Sequence, residues 1–419
     1  MRVTFFLTAL TALASWVTAS PKKGGAQGNV HVSYPIPLDV VLKRVREGGF
    51  EFEATIFNHN VESIKVLNYA TFLHKWAPIK RAEIFARGSL MVFCTLFHPA
   101  NFVGGKRVAF LGIVPKMDYT RLKRKHFTTI PSGKTISVKF DVAENYDLTA
   151  GGEHTIQLLG SLPFAQIKGR HIAGFIPYQS NKLQFMVNGE AAEGVRAKYL
   201  RERRRIRREN CSGGRVPRMR ESLSHCVQLS LAAQEAALNG PAWRMEEAFG
   251  FSDGPIRQHV AKIFSDTADK CRTDSTRIQE FCREYYRDCV SNDRILMAYL
   301  REPSLQIGYC DPFFDLPILP KRCYVYDRPD AWGWFPSRAS TVIQKTVHAN
   351  LRKSGLPGNM SLDAEPGLPK ILALDRNSSL QSPDNYELFA THLKLGCIAV
   401  SPAETNPLAG IPLFGPVNN

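Results

Sequence analysis

The stretch KYLRERRRIRREN, Lys198 to Asn210, divides the chain into two halves of different composition. Before it the sequence is rich in alternating, strand-like runs and holds a single cysteine, Cys94. After it helical periodicity sets in, and eight cysteines follow: Cys211, Cys226, Cys271, Cys282, Cys289, Cys310, Cys323 and Cys397. The reading is an α+β chain, with a β-sandwich-like first half and a mainly α-helical, disulfide-bonded second half. The run itself is expected to be exposed and extended, as blocks of like charge usually are. It reads as a processing site for a dibasic-cutting protease, with a plain solvated linker as the alternative.

Toward the N-terminus, FEFEATIF, TISVKFDVA, HTIQLLG and KLQFMVNG alternate apolar and polar positions between turns that contain Gly, Asn or Asp. That period of two belongs to strands covered on one face, repeated as in a sandwich. No catalytic constellation occurs here. His59, His74, His98, His126, His154 and His171 are scattered without metal-ligand spacing and read as ordinary surface or core residues. The first twenty residues, MRVTFFLTALTALASWVTAS, hold one Arg, an apolar run, and the small residues Val17 and Ala19. This is the pattern of a secretory signal peptide cut near Ala19, and it is too short for a spanning helix. The expected product is secreted and extracellular, with no membrane partner.

Toward the C-terminus, VPRMRESLSHCVQLSLAAQEAALNG carries Met219, Leu223, Cys226, Leu229 and Ala233 as one helical stripe that Gly240 ends. DGPIRQHVAKIFSDTADKC follows, with Asp253 as a cap, Pro255 near the first turn, and Ile256, Val260, Ile263 and Phe264 facing inward. A shorter, turn-rich piece from Cys282 to Cys323 leads to ASTVIQKTVHANLRK, Ala339 to Lys353, an amphipathic helix with His348 on one face. Polar, Pro-rich sequence after Cys397 reads as a loose tail. The boundaries are therefore 1–19 for the signal, 20–208 for the β-rich unit, 209–397 for the helical unit and 398–419 for the tail.

The net charge of +16 invites a nucleic-acid partner, but much of it sits in the basic run. An export signal removes the opportunity, and no aromatic residues interleave the run for base stacking, so nucleic acid is excluded. An even, clustered set of cysteines in an exported chain reads as disulfides, and no pair has the two-residue spacing of a zinc knuckle. Sequons at Asn210, Asn359 and Asn377 are glycan acceptors if the chain is secreted.

In the first half, IKVLNYATFLHKWAPIKRAEIF, YDLTAGGEHTIQLLGSLPFA and GFIPYQSNKLQFMVNG, and in the second, FCREYYRDC, CDPFFDLPILPKRC and DNYELFATHLKLGC, carry a resemblance. They are similar to the fungal neutral protease 2 (deuterolysin, aspzincin) family of secreted zinc metalloendopeptidases. The resemblance implies that 20–208 is a propeptide and 209–397 a zincin-like metalloprotease domain. It also implies a zinc cofactor, protein or peptide substrates, and the chain's own propeptide as a partner. The implied disulfides are Cys211–Cys282, Cys289–Cys310 and Cys323–Cys397, and Cys226 and Cys271, left over and facing each other from two helices, are expected to form a fourth bridge.

The family's site needs two His one helical turn apart to face one zinc, with a Glu beside the first as general base. An Asp from a Gly-Thr-x-Asp-x-x-Tyr-Gly loop completes the metal shell. No His-Glu-x-x-His occurs in this chain. Laid on that helix, QKTVH places His348 at the second ligand, Gln344 at the lost first ligand and Lys345 at the general base. The Asp loop falls on MSLDAEPG, where Asp363 and Gly367 survive, while Met360, Ser361 and Pro366 replace Gly, Thr and Tyr. An ungapped alternative counted from Cys323 puts the site on WFPSR, which has no ligand and holds Pro336, a helix breaker.

Gln344 offers only a neutral amide oxygen, a poor zinc ligand beside imidazole. Lys345 as an ammonium has no lone pair to take a water's proton. Losing general-base catalysis removes about 10²–10⁴-fold in rate by itself. The expectation is a family member with no catalytic residue in place, His348 and Asp363 as residual metal candidates, and zinc weak or absent. Two alternatives stand beside this pseudoprotease reading. One is an active zinc endopeptidase whose coding sequence is disturbed between Cys323 and Cys397; the other is a secreted effector or inhibitor.

Overall fold

The computed structural model describes residues 38–75, 77–87, 105–203, 213–272, 279–281, 288–289, 295–320, 336–353, 374–399 and 414–415. The signal segment, Asp363, Cys211, Cys282 and Cys323 lie outside the described residues.

Strict alternation builds the first half. β1 (Leu38–Arg44) and β2 (Glu51–Phe57) bury every second side chain. They join β3 (Ile64–Leu67), β7 (Phe127–Ile130), β8 (Thr135–Asp141), β10 (Leu159–Ala165) and β11 (Ile172–Ser180) in a sheet of order β7-β3-β10-β11-β1-β2-β8. A second sheet has the order β12-β9-β4-β5, from β4 (Glu83–Arg87), β5 (Gly105–Arg107), β9 (Gly152–Gln157) and β12 (Leu183–Val187). Leu42, Phe52 and Ile56 of the first sheet and Ile84, Ile156 and Phe185 of the second share one buried core. Across it the rings of Phe52 and Phe185 meet edge to face at 5.1 Å, a preferred aromatic geometry. Side chains that alternate along each strand thus meet between two layers.

The first six residues of the basic run depart from expectation, and 204–210 lie outside the described residues. α1 (Gly189–Arg203) continues directly from β12 and carries Lys198–Arg203 as helix, not as extended chain. Asn188 accepts the Ala191 N–H at 3.0 Å to start the helix, and the Ala, Arg, Lys, Glu and Leu that follow are good helix formers. Over this described part local propensity outweighs like-charge repulsion.

The stripes of the second half form α2 (Arg215–Asn239) and α4 (Gly254–Arg272), with α3 (Ala242–Phe249) between them. Met219, Cys226, Leu229 and Ala233 of α2 and Ile256, Val260, Ile263 and Phe264 of α4 lie in one core, against which Leu223 packs partly buried. Gly240 closes α2 by donating to the Ala236 carbonyl at 2.9 Å, and Asp253 accepts the Ile256 N–H at 3.3 Å at the start of α4. A disulfide joins Cys226 to Cys271 across these helices, and another joins Cys289 to Cys310. Cys397 is buried and disulfide-bonded, its partner being outside the described residues. The chain after Cys397 is described at Ile398–Ala399 and Phe414–Gly415, which pair antiparallel as short strands.

The piece expected to be turn-rich holds a buried hairpin, β14 (Leu296–Arg301) and β15 (Gln306–Tyr309), followed by α5 (Asp311–Phe314). β13 (Gln279–Phe281) lies parallel to β15. On the other edge of β14 lies β6 (Ile113–Met117), a strand from the first half, so the sheet runs β13-β15-β14-β6. Every residue of β14 is buried because both faces are covered. Ala298 and Leu300 pack into the helical core, while Leu296 and Tyr299 meet Ile79 and Ile113 of the first half. Pro115 lacks an N–H and sits on β6, an edge position where no ladder bond is lost.

Candidate active site

The helix predicted over Ala339–Lys353 is α6 (Arg338–Lys353). Its first turn is capped reciprocally: Ser340 N donates to Ser337 Oγ at 3.1 Å, and Ser337 N donates to Ser340 Oγ at 3.2 Å. Pro336 precedes the helix, so the WFPSR segment ends where the helix begins. Val342, Ile343, Val347, Ala349 and Leu351 belong to the helical core. Lys345, His348 and Arg352 recur at helical spacing on another face, where i, i+3 and i+7 positions line up. Gln344, Lys345 and His348 are all buried.

That face meets the end of β14 and the strand beside it. Lys345 Nζ donates to the carbonyl oxygen of Val114 at 3.1 Å, across to β6. His348 Nε2 lies 3.6 Å from Glu302 Oε1, an ion-pair separation rather than a hydrogen bond. Arg352 Nε donates to the same Glu302 Oε1 at 2.6 Å, and its Nη2 donates to the other carboxylate oxygen. Burial pushes the Glu302 carboxyl up, but the side chains of His348 and Arg352 outweigh it and hold the group below the usual carboxylate range.

A third group completes the junction. α8 (Pro383–Leu395), preceded by the short α7 (Arg376–Leu380), carries Asp384 and Glu387 three residues apart. Both carboxylates accept from Lys116 Nζ of β6 at 2.7 Å. Burial disfavours the Lys116 ammonium, yet the two carboxylates more than compensate and hold it charged, its pKa well above the ordinary value. Burial raises the Glu387 carboxyl, the lysine pulls it down and Asp384 pushes it up again, with a net upward shift. The cation and at least one anion are thus fixed together out of water.

These residues do not fit a zinc ion. Among the described residues no group of three or more His, Cys, Asp or Glu stands in an arrangement for a metal. The one imidazole of the helix faces a carboxylate already held by an arginine. Lys345, expected beside the first ligand, donates to a backbone carbonyl, and Gln344 Oε1 is buried without a hydrogen-bond partner among the described residues. Asp363, the expected loop ligand, lies outside the described residues.

Sequence reasoning singled out Gln344, Lys345 and His348 but missed Val114, Lys116, Glu302, Arg352, Asp384 and Glu387. One signal was available. DNYELFATHLKLGC sets two carboxylates on a helix that is otherwise apolar enough to be buried, and buried acids require a cation. Nothing in IVPKM names that cation's partner, because the two lie 268 and 271 residues apart.

Comparison with known proteins gives a consistent result. The deuterolysin metalloprotease (M35) family matches residues 1–397. A neutral protease 2 homolog of Phaeosphaeria nodorum is 29% identical over 390 residues, covering 93% of this chain and 98% of its own. One from Colletotrichum graminicola is 28% identical over 363 residues, covering 86% and 92%. A solved zinc peptidase from Grifola frondosa covers 43% of this chain and 97% of its own at 15% identity and a TM-score of 0.31, a likeness too slight to carry an argument.

Proposed function

The chain belongs to the deuterolysin metalloprotease (M35) family, and from that premise we propose that it keeps the family's architecture without its peptide-bond hydrolysis. In this reading it is a secreted, disulfide-bonded pseudoprotease. Residues 20–208 correspond to the propeptide and 209–397 to the protease domain. Among the described residues no helix is long and apolar enough to cross a membrane.

One observation carries the reading. Lys345, which the sequence alignment sets at the position of the general base, is buried and its Nζ donates to the Val114 carbonyl. A carboxylate there would accept a proton from water; an ammonium has no lone pair for it. The neighbouring His348 is directed at Glu302. Zinc binding would need that imidazole free and two further ligands from Gln344 and Asp363, of which the amide is the weaker kind.

The test is zinc content of the purified protein by atomic emission, measured beside casein hydrolysis with and without a chelator. Sub-stoichiometric zinc and no chelator-sensitive cleavage are expected. The double substitution Gln344→His with Lys345→Glu restores two imidazoles at i and i+4 with a carboxylate beside the first, and should raise zinc affinity well above the parent's. Hydrolysis should return only in part, because Pro366 still stands in place of the loop Tyr. A parent that cleaves casein and loses that activity to a chelator would falsify the proposal.

A further inference from the structure

The substitution that removes the general base also creates a hydrogen-bond donor aimed at the first half. A glutamate at position 345 would present oxygen lone pairs to the Val114 carbonyl and repel it; Lys345 donates to it at 3.1 Å. One residue later in chain order from Pro115, Lys116 gives its own ammonium to Asp384 and Glu387 on α8. β6 is therefore gripped from α6 at its backbone and from α8 at its side chain. Between these points it pairs antiparallel with β14, Ile113 opposite Arg301, Val114 opposite Leu300 and Met117 opposite Leu296. The ladder runs past both ends, with Glu302 N donating to Gly112 O at 2.9 Å and Asp118 N donating to Ile295 O at 2.8 Å. Apolar contacts close the seam, since Ile113 packs with Leu296 and Tyr299, and Met117 with Ile295.

We propose that β6 is a permanent occupant of the β14 edge, locked there by Lys345 and Lys116, so that cutting the chain in the basic run leaves a stable two-chain complex and not a freed second half. The partner of this surface is the first half of the same chain. Two features distinguish the lock from an ordinary surface contact. Its charges are buried, with the Lys116, Asp384 and Glu387 side chains only 8%, 4% and 0% exposed, so salt screens them little. Its backbone ladder consumes the edge on which another extended peptide would have to add. The proposal builds on the reading that Lys345 stands at the base position, but its contacts are independent of whether the helix ever held zinc.

The test reads association. A site-specific protease sequence is inserted within Arg204–Arg208 of the full chain, the protein is cut, and the products are followed by size-exclusion chromatography at micromolar and nanomolar concentration. The parent should elute as one species containing both fragments, unchanged in 1 M NaCl, and separate only in denaturant. Lys345→Met removes the donor while keeping the bulk, and Lys116→Met strands two buried carboxylates. Loss of one partner of a buried charged contact weakens association by at least about 30-fold, so each cut variant should dissociate on dilution where the parent does not. Circular dichroism of the uncut Lys345→Met protein checks that it folds. Halves of the parent that separate on cutting at micromolar concentration overturn the lock. So does a folded Lys345→Met variant whose fragments associate as tightly as the parent's. Zinc content and casein cleavage enter neither outcome, so the two proposals fail on different measurements.

Discussion

Replacing Lys116 by Met in the uncut chain asks how much the buried triad contributes to the fold itself. The side chain keeps its length and apolar stem but loses the ammonium that both Asp384 and Glu387 hold at 2.7 Å. Removing one partner of a buried ion pair costs about 3–5 kcal/mol, chiefly because the remaining charge has no solvent. Here two carboxylates are left facing the same vacated space, so the upper part of that range applies. With a urea m-value of about 3 kcal/mol/M or more for a chain this long, the unfolding midpoint should fall by roughly 1 M at pH 7.5. The loss should depend on pH with a definite sign. Glu387 is already pushed up in the parent by burial, with Asp384 adding to it against the pull of Lys116. Without the lysine the pull that lowers Glu387 is gone, and its buried carboxyl prefers the protonated form still more strongly than in the unfolded chain. Its contribution is then favourable below the unfolded carboxylate pKa and is lost as pH rises through the folded one. The gap between variant and parent should therefore narrow as the pH is lowered toward about 4.5, near the unfolded carboxylate range. Urea denaturation followed by circular dichroism across this range measures it. A variant within about 1 kcal/mol of the parent at pH 7.5 would show that water reaches the triad, and a gap independent of pH would show that the carboxylates are not its source.

Other consequences are measurable in the same way. Glu247 is pushed up to about 8 by burial, opposed by Arg244, and lies 3.2 Å from His392 Nδ1, which burial pushes down to about 3. A raised carboxyl favours the fold at low pH and loses that contribution as pH climbs to the folded value. Glu247→Gln should therefore be about 4 kcal/mol more stable than the parent at pH 8.5 and within about 1 kcal/mol of it at pH 5, and equal stabilities at both pH values would refute the shift. Replacing both Cys226 and Cys271 by Ala opens a loop with a sequence separation of 45. The loop-entropy relation gives a loss of about 4 kcal/mol, readable under non-reducing conditions as a melting temperature below the parent's, and a variant that melts with the parent would refute it.

Much of the architecture was legible because its cause is local. Period-two alternation in FEFEATIF and TISVKFDVA became β2 and β8, since a strand with one wet face must alternate. The stripes of α2 and α4 became the helical core, and the helix around His348 lies where its spacing put it. The described start of the basic run, Lys198–Arg203, is helix where extended chain was expected, because charge was weighed above helix propensity. What no local pattern carried was the seam between the halves. IVPKM is a short apolar strand with one lysine, and its burial on one edge or another depends on which unpaired edge the fold brings to it. Lys345 read as a lost base; only the packing turned its ammonium toward Val114. Residue types set which groups need a partner, since a buried charge or backbone donor left alone is too costly to persist. Which partner each one meets, across 231 residues for Lys345 and 268 for Lys116, is decided by the three-dimensional chain path, because the interaction acts through space and leaves no period along the sequence.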